Sequence, residues 1–290
     1  MKTYSQPWAN EVLLPPGNTP VEEITFSVFD TETCGLWTGS RVVEIGLYQV
    51  KNNTVITSRS WLINPQMPIP AGAMAVHNIT DEEVADAPSA GVVIREILPL
   101  LEDTILVAHN APYDEGIVAT NAARYGVFLP PLPIIDTIPL AKALIANMDS
   151  YSLAHLSKTL GFEAPQYHRA LSDAQTTSQL LGRCTEILKK LQENDFYHLA
   201  NYGTLSRLGN SARPVTEWPG RFPLLHLAIS TQAEMEISYL KDNVRIRIPA
   251  TLMAIFEHKG HTYLEVRDHR HIREIRSLRL DRIQAMVPIS

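Results

Sequence analysis

Cysteine is nearly missing from this chain: only Cys34 and Cys184 carry a thiol among 290 residues, far apart and outside any metal-ligand spacing. That scarcity excludes a disulfide framework and a thiolate metal site, and makes a reducing compartment the simpler setting. Long apolar runs are missing too, so no segment reads as a membrane span. The start lacks a basic region followed by an apolar stretch, and the expectation is a cytoplasmic protein with no membrane partner. No helix-turn-helix pattern precedes the C-terminal segment, which argues against an ordinary transcription factor.

What is present suffices for about two cores, with 45% of the residues hydrophobic. Residues 1–21 hold Pro7, Pro15, Pro16 and Pro20 without periodicity and read as an irregular arm. Apolar, β-branched runs predict strands over 24–29, 41–50, 54–63 and 104–109, and helical spacing predicts helices over 89–102, 114–125, 138–147, 152–160 and 170–193. This alternation over residues 22–205 is an α/β pattern. Gly209, Pro214, Pro219 and Gly220 mark residues 206–222 as a linker. Beyond it, residues 223–290 carry short runs at Met235–Leu240, Val244–Ile248, Leu252–Glu257, Thr262–Val266 and Ile272–Ile275, the pattern of a small β barrel or sandwich.

Charge divides the chain. Residues 241–290 hold ten Lys or Arg against six Asp or Glu, 10 − 6 = +4, so the remainder carries −10 within the overall −6. Arg245, Arg247, Arg267, Arg270, Arg273, Arg276, Arg279 and Arg282, with His258, His261, His269 and His271, suit phosphate attraction, although a solvated sheet face has the same composition.

Three acidic motifs carry the chemistry. Phe29-Asp30-Thr31-Glu32-Thr33 ends the first strand, and residues two apart on a strand share a side, so Asp30 and Glu32 can face one site. His109-Asn110-Ala111-Pro112-Tyr113-Asp114 follows the strand near 104–109, with Pro112 suited to an early helical position and Asp114 near the helix start. His168-Arg169-Ala170-Leu171-Ser172-Asp173 places His168 before the long helix and Asp173 in its first turns. Each motif alone also reads as turn chemistry or a cap. Together, carboxylates from three segments are what a pair of Mg²⁺ or Mn²⁺ ions needs, and His168 is what an attacking water needs. Glu44, inside an apolar strand, faces either the cleft or solvent, and Asp136 suits a cap for the helix after it.

In these motifs the chain resembles the DnaQ-like 3′-to-5′ exonucleases of the DEDDh type over residues 22–190. The resemblance implies a ribonuclease H-like fold, two Mg²⁺ or Mn²⁺ ions held by Asp30, Glu32, Asp114 and Asp173, and His168 as general base. It implies hydrolysis at single-stranded 3′ ends, DNA before RNA, releasing nucleoside 5′-monophosphates. It also puts Thr33, Gly35 and Leu36 at the terminal nucleotide, with His77, His109 and Asn110 as further substrate contacts. Leu36 and His77 have plainer readings, as a core contact and as part of the helix start at Thr80. Cys34 and Tyr113 depart from the frequent Thr and Phe.

The tail resembles a WYL domain over residues 224–287, through Ile237-Ser238-Tyr239, Arg247-Ile248-Pro249, Thr262-Tyr263-Leu264 and Arg279-Leu280-Asp281-Arg282-Ile283. Thr262 stands where that family has tryptophan. The likeness implies a nucleic-acid or nucleotide ligand, with Tyr263, Arg279 and Arg282 as contacts; the plainer reading puts Tyr263 in the barrel core. Two other functions fit: a non-catalytic binding protein acting through the tail, and a polymerase-associated proofreading subunit.

Overall fold

A computed structural model of the protein describes residues 14–162, 168–270 and 274–289. Residues 1–13 of the expected arm, His271, Arg273 and the start of the run at Ile272 lie outside the described residues.

The first sheet is mixed. Strands β1 (Thr25–Thr33), β2 (Val42–Lys51), β3 (Thr54–Leu62), β4 (Ile105–Ala108), β5 (Pro133–Asp136) and β6 (Leu205–Arg207) lie in the order β3-β2-β1-β4-β5-β6. β1 runs antiparallel to β2 and parallel to β4, and β4 runs parallel to β5. Helices cover both faces, so β1 reads as a nearly continuous apolar run rather than a strict alternation. Phe26 and Val28 enter one core with Leu140, Leu180 and Leu188. Phe29 enters the other with Leu47, Leu106 and Ile117.

The helices are α1 (Ala71–His77), α2 (Asp81–Val84), α3 (Ala90–Ile97), α4 (Ala111–Arg124), α5 (Thr137–Leu144), α6 (Leu153–Leu160), α7 (Ala170–Leu191), α8 (Phe196–Tyr202) and α9 (Leu225–Ser230). Because β1, β4 and β5 are mutually parallel, their C-terminal ends share one edge of the sheet. Open α/β sheets bind ligands beyond that edge.

A separate antiparallel sheet follows. It contains β7 (Ala212–Pro214), β8 (Glu234–Lys241), β9 (Val244–His258), β10 (His261–Asp268), β11 (Glu274–Arg279) and β12 (Ile283–Pro288), in the order β11-β10-β9-β8-β12 with β7 also paired to β9. Two runs read as separate strands are one, β9, which passes through Pro249. The ring is tolerated because β10 pairs only from Ala250 onward, leaving Pro249 a ladder partner on one side. The segment read as a linker holds the end of β6 and all of β7, so it feeds both sheets.

The sheets meet at α4. Ala119 and Ala123 pack on Ala212 and Phe256, small residues letting the helix approach the second sheet closely. Glu115 accepts hydrogen bonds from the Ser211 backbone N–H at 3.1 Å and from its hydroxyl. Among the described residues, no helix is long and apolar enough to cross a membrane.

Candidate active site

Asp30 and Glu32 leave β1 on the side taken by Phe26 and Val28, as the two-residue period requires. Thr31 points the other way, and its hydroxyl donates to Asp114 Oδ1 at 2.7 Å. Asp114 lies in the first turn of α4 and is buried. One three-residue strand end thus presents two carboxylates and orients a third.

The remaining pair is seated by β2. Glu44 lies opposite Glu32 in the ladder and is only 1% exposed, so neither an open cleft nor a solvated face describes it. It accepts from Arg169 Nε at 3.1 Å, Arg169 Nη2 at 2.9 Å, the Ala170 backbone N–H at 2.9 Å and Ser60 Oγ at 3.0 Å. A carboxylate at a helix N-terminus satisfies free backbone donors and meets the positive end of the helix dipole. Two residues along, a Cβ on Gly46 would strike the Ala170 and Leu171 backbone. Glu44 and Gly46 therefore dock the start of α7 onto the sheet, and with it His168 and Asp173. The His168 backbone N–H donates to Asp173 Oδ2 at 3.2 Å, with His168 at φ 59°, a region few non-glycine residues occupy. Ligand atoms of Glu32, His168 and Asp173 all lie within 4.8 Å of one another.

The charges are unbalanced. Burial first, then repulsion from Asp114, Asp173, Glu32 and Glu44, hold the Asp30 carboxyl well above the usual range. Burial and the carboxylates of Asp173, Glu44 and Asp114 push Glu32 up to about 8, with Arg169 pulling the other way. Burial takes Asp114 to about 7 against the hydrogen bonds from Thr31. Asp173 rises to about 6, again by burial, with His168 opposing. Hard oxygen donors that repel one another in a shielded cleft are what a divalent cation stabilises, so the residues fit such an ion.

Around this cluster, Thr33 Oγ1 donates to the Gly35 carbonyl at 2.7 Å, and the Tyr113 hydroxyl lies 2.9 Å from Thr33 Oγ1 and 3.1 Å from that carbonyl. Leu36 is 94% exposed, which overturns its reading as a core contact. His77 is buried at the end of α1, where Nδ1 accepts from the Ile79 backbone N–H at 3.0 Å. His109 uses both ring nitrogens inside the protein, on Thr137 Oγ1 and the Tyr151 carbonyl, each at 2.9 Å. Asn110 precedes α4 in a left-handed conformation, and its backbone N–H donates to Asp136, which also caps α5 at Ile138. Cys34 is buried, which pushes its thiol up to about 12.

The tail residues lie on the second sheet. Tyr263 is half-buried, stacked on Phe256 at 5.9 Å. Arg279 grips Asp281 at 2.6 and 3.1 Å, and Arg282 follows in the short turn before β12. Of the arginines read as suited to phosphate or as a solvated face, Arg270 and Arg276 are paired with Asp268, and Arg247 with Glu236. His258 is buried between Thr120 and Thr38, away from the surface on which a phosphate would land. Sequence reasoning missed the docking roles of Glu44 and Gly46; a lone glycine within a β-branched strand was the available signal.

Comparison with known proteins agrees with this geometry. Residues 27–181, just over half of the chain, match the RNase_T family, described as exonuclease. A DNA polymerase III subunit epsilon-like protein from Rhodobacter capsulatus is 35% identical over 59% of this chain, and a PolC-type DNA polymerase III from Bacillus cereus is 34% identical over 61%. The matched regions span only 25% and 12% of those relatives. The structure of E. coli Exonuclease I in complex with a dT13 oligonucleotide superposes with a TM-score of 0.53 at 16% identity, covering 84% of this chain and 55% of that one. At that identity the likeness establishes the ribonuclease H-like fold.

Proposed function

Because the chain belongs to the RNase_T exonuclease family, we propose that it removes nucleotides from the 3′ ends of single-stranded nucleic acid, DNA in preference to RNA, releasing nucleoside 5′-monophosphates. The observation that carries this reading is the convergence of Asp30, Glu32, Asp114, His168 and Asp173 from three segments on one cleft.

In this reading Asp30, Glu32, Asp114 and Asp173 hold two Mg²⁺ or Mn²⁺ ions. Bound there, such ions would supply positive charge that favours ionisation of an attacking water and offsets the charge on the departing 3′-oxygen. His168 accepts the water's proton on a ring nitrogen, from an exposed position beside Glu32 and Asp173. Thr31 keeps Asp114 aimed into the cleft. The Thr33 and Tyr113 hydroxyls fix the Gly35 carbonyl, and Leu36 offers an apolar surface to the last base. His77, buried at the end of α1, supports the nucleotide site from behind, and His109, with both ring nitrogens taken inside the protein, acts on substrate only through its hold on Thr137 and the Tyr151 carbonyl. The second sheet holds the 5′ continuation of the substrate strand, with Tyr263, Arg279 and Arg282 as its contacts, in keeping with its WYL-like resemblance.

Digestion of matched DNA and RNA oligonucleotides, labelled separately at each end, with Mg²⁺, Mn²⁺ or EDTA tests this. Stepwise, metal-dependent shortening from the 3′ end is expected, faster on DNA. No cleavage of any substrate would leave a binding protein acting through the tail. A second reading, proofreading beside a polymerase, draws on the names of the two polymerase relatives. Preferential digestion of a mispaired 3′ terminus would favour it.

A further inference from the structure

The stretch between β1 and β2 is fastened at both ends. Near its start the Gly35 carbonyl is held by Thr33 and Tyr113. Near its end Arg124 donates to the Gly39 carbonyl and, through Nη1 at 3.3 Å, to the Ser40 carbonyl, which also accepts from Asn121 Nδ2 at 2.9 Å. Between these points Leu36 stands in solvent, and the Trp37 ring folds back over Gly39, where a Cβ would strike it.

The second fastening depends on the other sheet. Glu265, on β10, takes Arg124 Nε on Oε1 at 2.9 Å and Arg41 Nη2 on Oε2 at 2.5 Å. All three side chains are buried. His258 of β9 adds a contact to Thr38 at 3.4 Å, and its ring meets the edge of Trp37 at 5.8 Å between centroids. A surface ion pair would hold nothing in place. A buried carboxylate shared by two planar guanidinium groups fixes geometry, because losing it strands two charges away from water.

We propose that Glu265 is a positioning residue for substrate binding: through Arg41 and Arg124, the C-terminal sheet sets the shape of residues 34–41 and hence the placement of Gly35 and Leu36 at the mouth of the cleft. This rests on the exonuclease reading of that mouth. Glu265 touches no substrate. None of the five site residues bonds to it, so its loss loosens the grip on the terminal nucleotide and spares the chemical step.

The test uses the full chain carrying Glu265→Gln, which removes the charge, or Glu265→Asp, which keeps the charge but is too short to span both arginines. Steady-state rates are measured on a single-stranded deoxyoligonucleotide with Mn²⁺. Chymotryptic cutting after Leu36 or Trp37 is followed without substrate and normalised to cutting at exposed Tyr197 on α8. The expected result is a KM raised about tenfold with kcat held within about twofold, and normalised cutting about tenfold faster. Lower thermal stability with KM and cutting unchanged overturns the proposal, as does a fall in kcat at constant KM. If the wild-type chain hydrolyses nothing, the exonuclease reading fails by itself, and the cutting rate still decides whether Glu265 braces the loop.

Discussion

Asp30 and His168 differ in what their removal takes away. Asp30 is raised by burial and then by four neighbouring carboxylates, Asp114, Asp173, Glu32 and Glu44, whereas His168 is exposed and is proposed to act on a proton alone. His168→Ala is expected to slow hydrolysis by about 10²- to 10⁴-fold, and Asp30→Ala to be more severe, on a labelled oligonucleotide at saturating Mn²⁺. Equal, near-wild-type rates for both would refute the assignment. The acids also set a pH dependence. Glu32, Asp114 and Asp173 keep protons in the folded chain to about 8, 7 and 6, whereas the unfolded chain releases them near the ordinary values of 4.5, 3.8 and 3.8. The folded state therefore binds more protons through this window, and stability falls as pH rises through it. In EDTA the melting temperature is expected to drop between about pH 4 and 8, and added Mn²⁺ to restore it most at the upper end. A flat profile would mean that the carboxyls do not crowd one another. These five residues were legible because each sits in a short local motif. Glu44 was not, since its partner Ala170 lies 126 positions away.

At the scale of elements, the decisive contact is the seat of α7 on β2. Gly46→Ala puts a methyl group into the Ala170–Leu171 backbone, and no flexible side-chain end is there to give way. The variant is expected to lose about 1–3 kcal/mol in urea unfolding. Because α7 carries Asp173 and follows His168, activity should fall further than stability explains, at least about tenfold at a temperature where the variant is fully folded. Wild-type activity in a destabilised Gly46→Ala chain would show that the helix start is free to shift without consequence. Strands β1 to β4 and the long helices were readable from apolar runs and helical spacing, which depend on neighbouring residues alone. The short strands β6 and β7 were not. Their three residues gain strand geometry only by pairing with Pro133–Ile135 and Phe256–His258, so Gly209 between them and Pro214, Pro219 and Gly220 in and after β7 read as a linker.

For the molecule as a whole, the tail is more than a basic appendage. A chain ending before β7 loses Glu265 and Phe256, leaving Arg41 and Arg124 without their shared carboxylate. Its unfolding free energy is expected to fall by about 3–5 kcal/mol if the fold survives. Affinity for single-stranded DNA should fall with it, and the dependence of binding on salt should become shallower, since basic residues of the tail are removed. An unchanged salt slope would remove the tail from the binding surface. Composition revealed the basic character of this region but not that Arg247, Arg270, Arg276 and Arg279 are already matched by acids, a pairing that only the fold creates.

The bridge from Arg41 to Glu265 spans 224 positions. During synthesis the two arginines emerge long before their common partner, so all five site residues precede the brace for the loop beside them. Domains made first fold first, and contacts of such long range close last. The loop beside the site is therefore expected to take its final shape only once the second sheet has formed, well after the first sheet is complete.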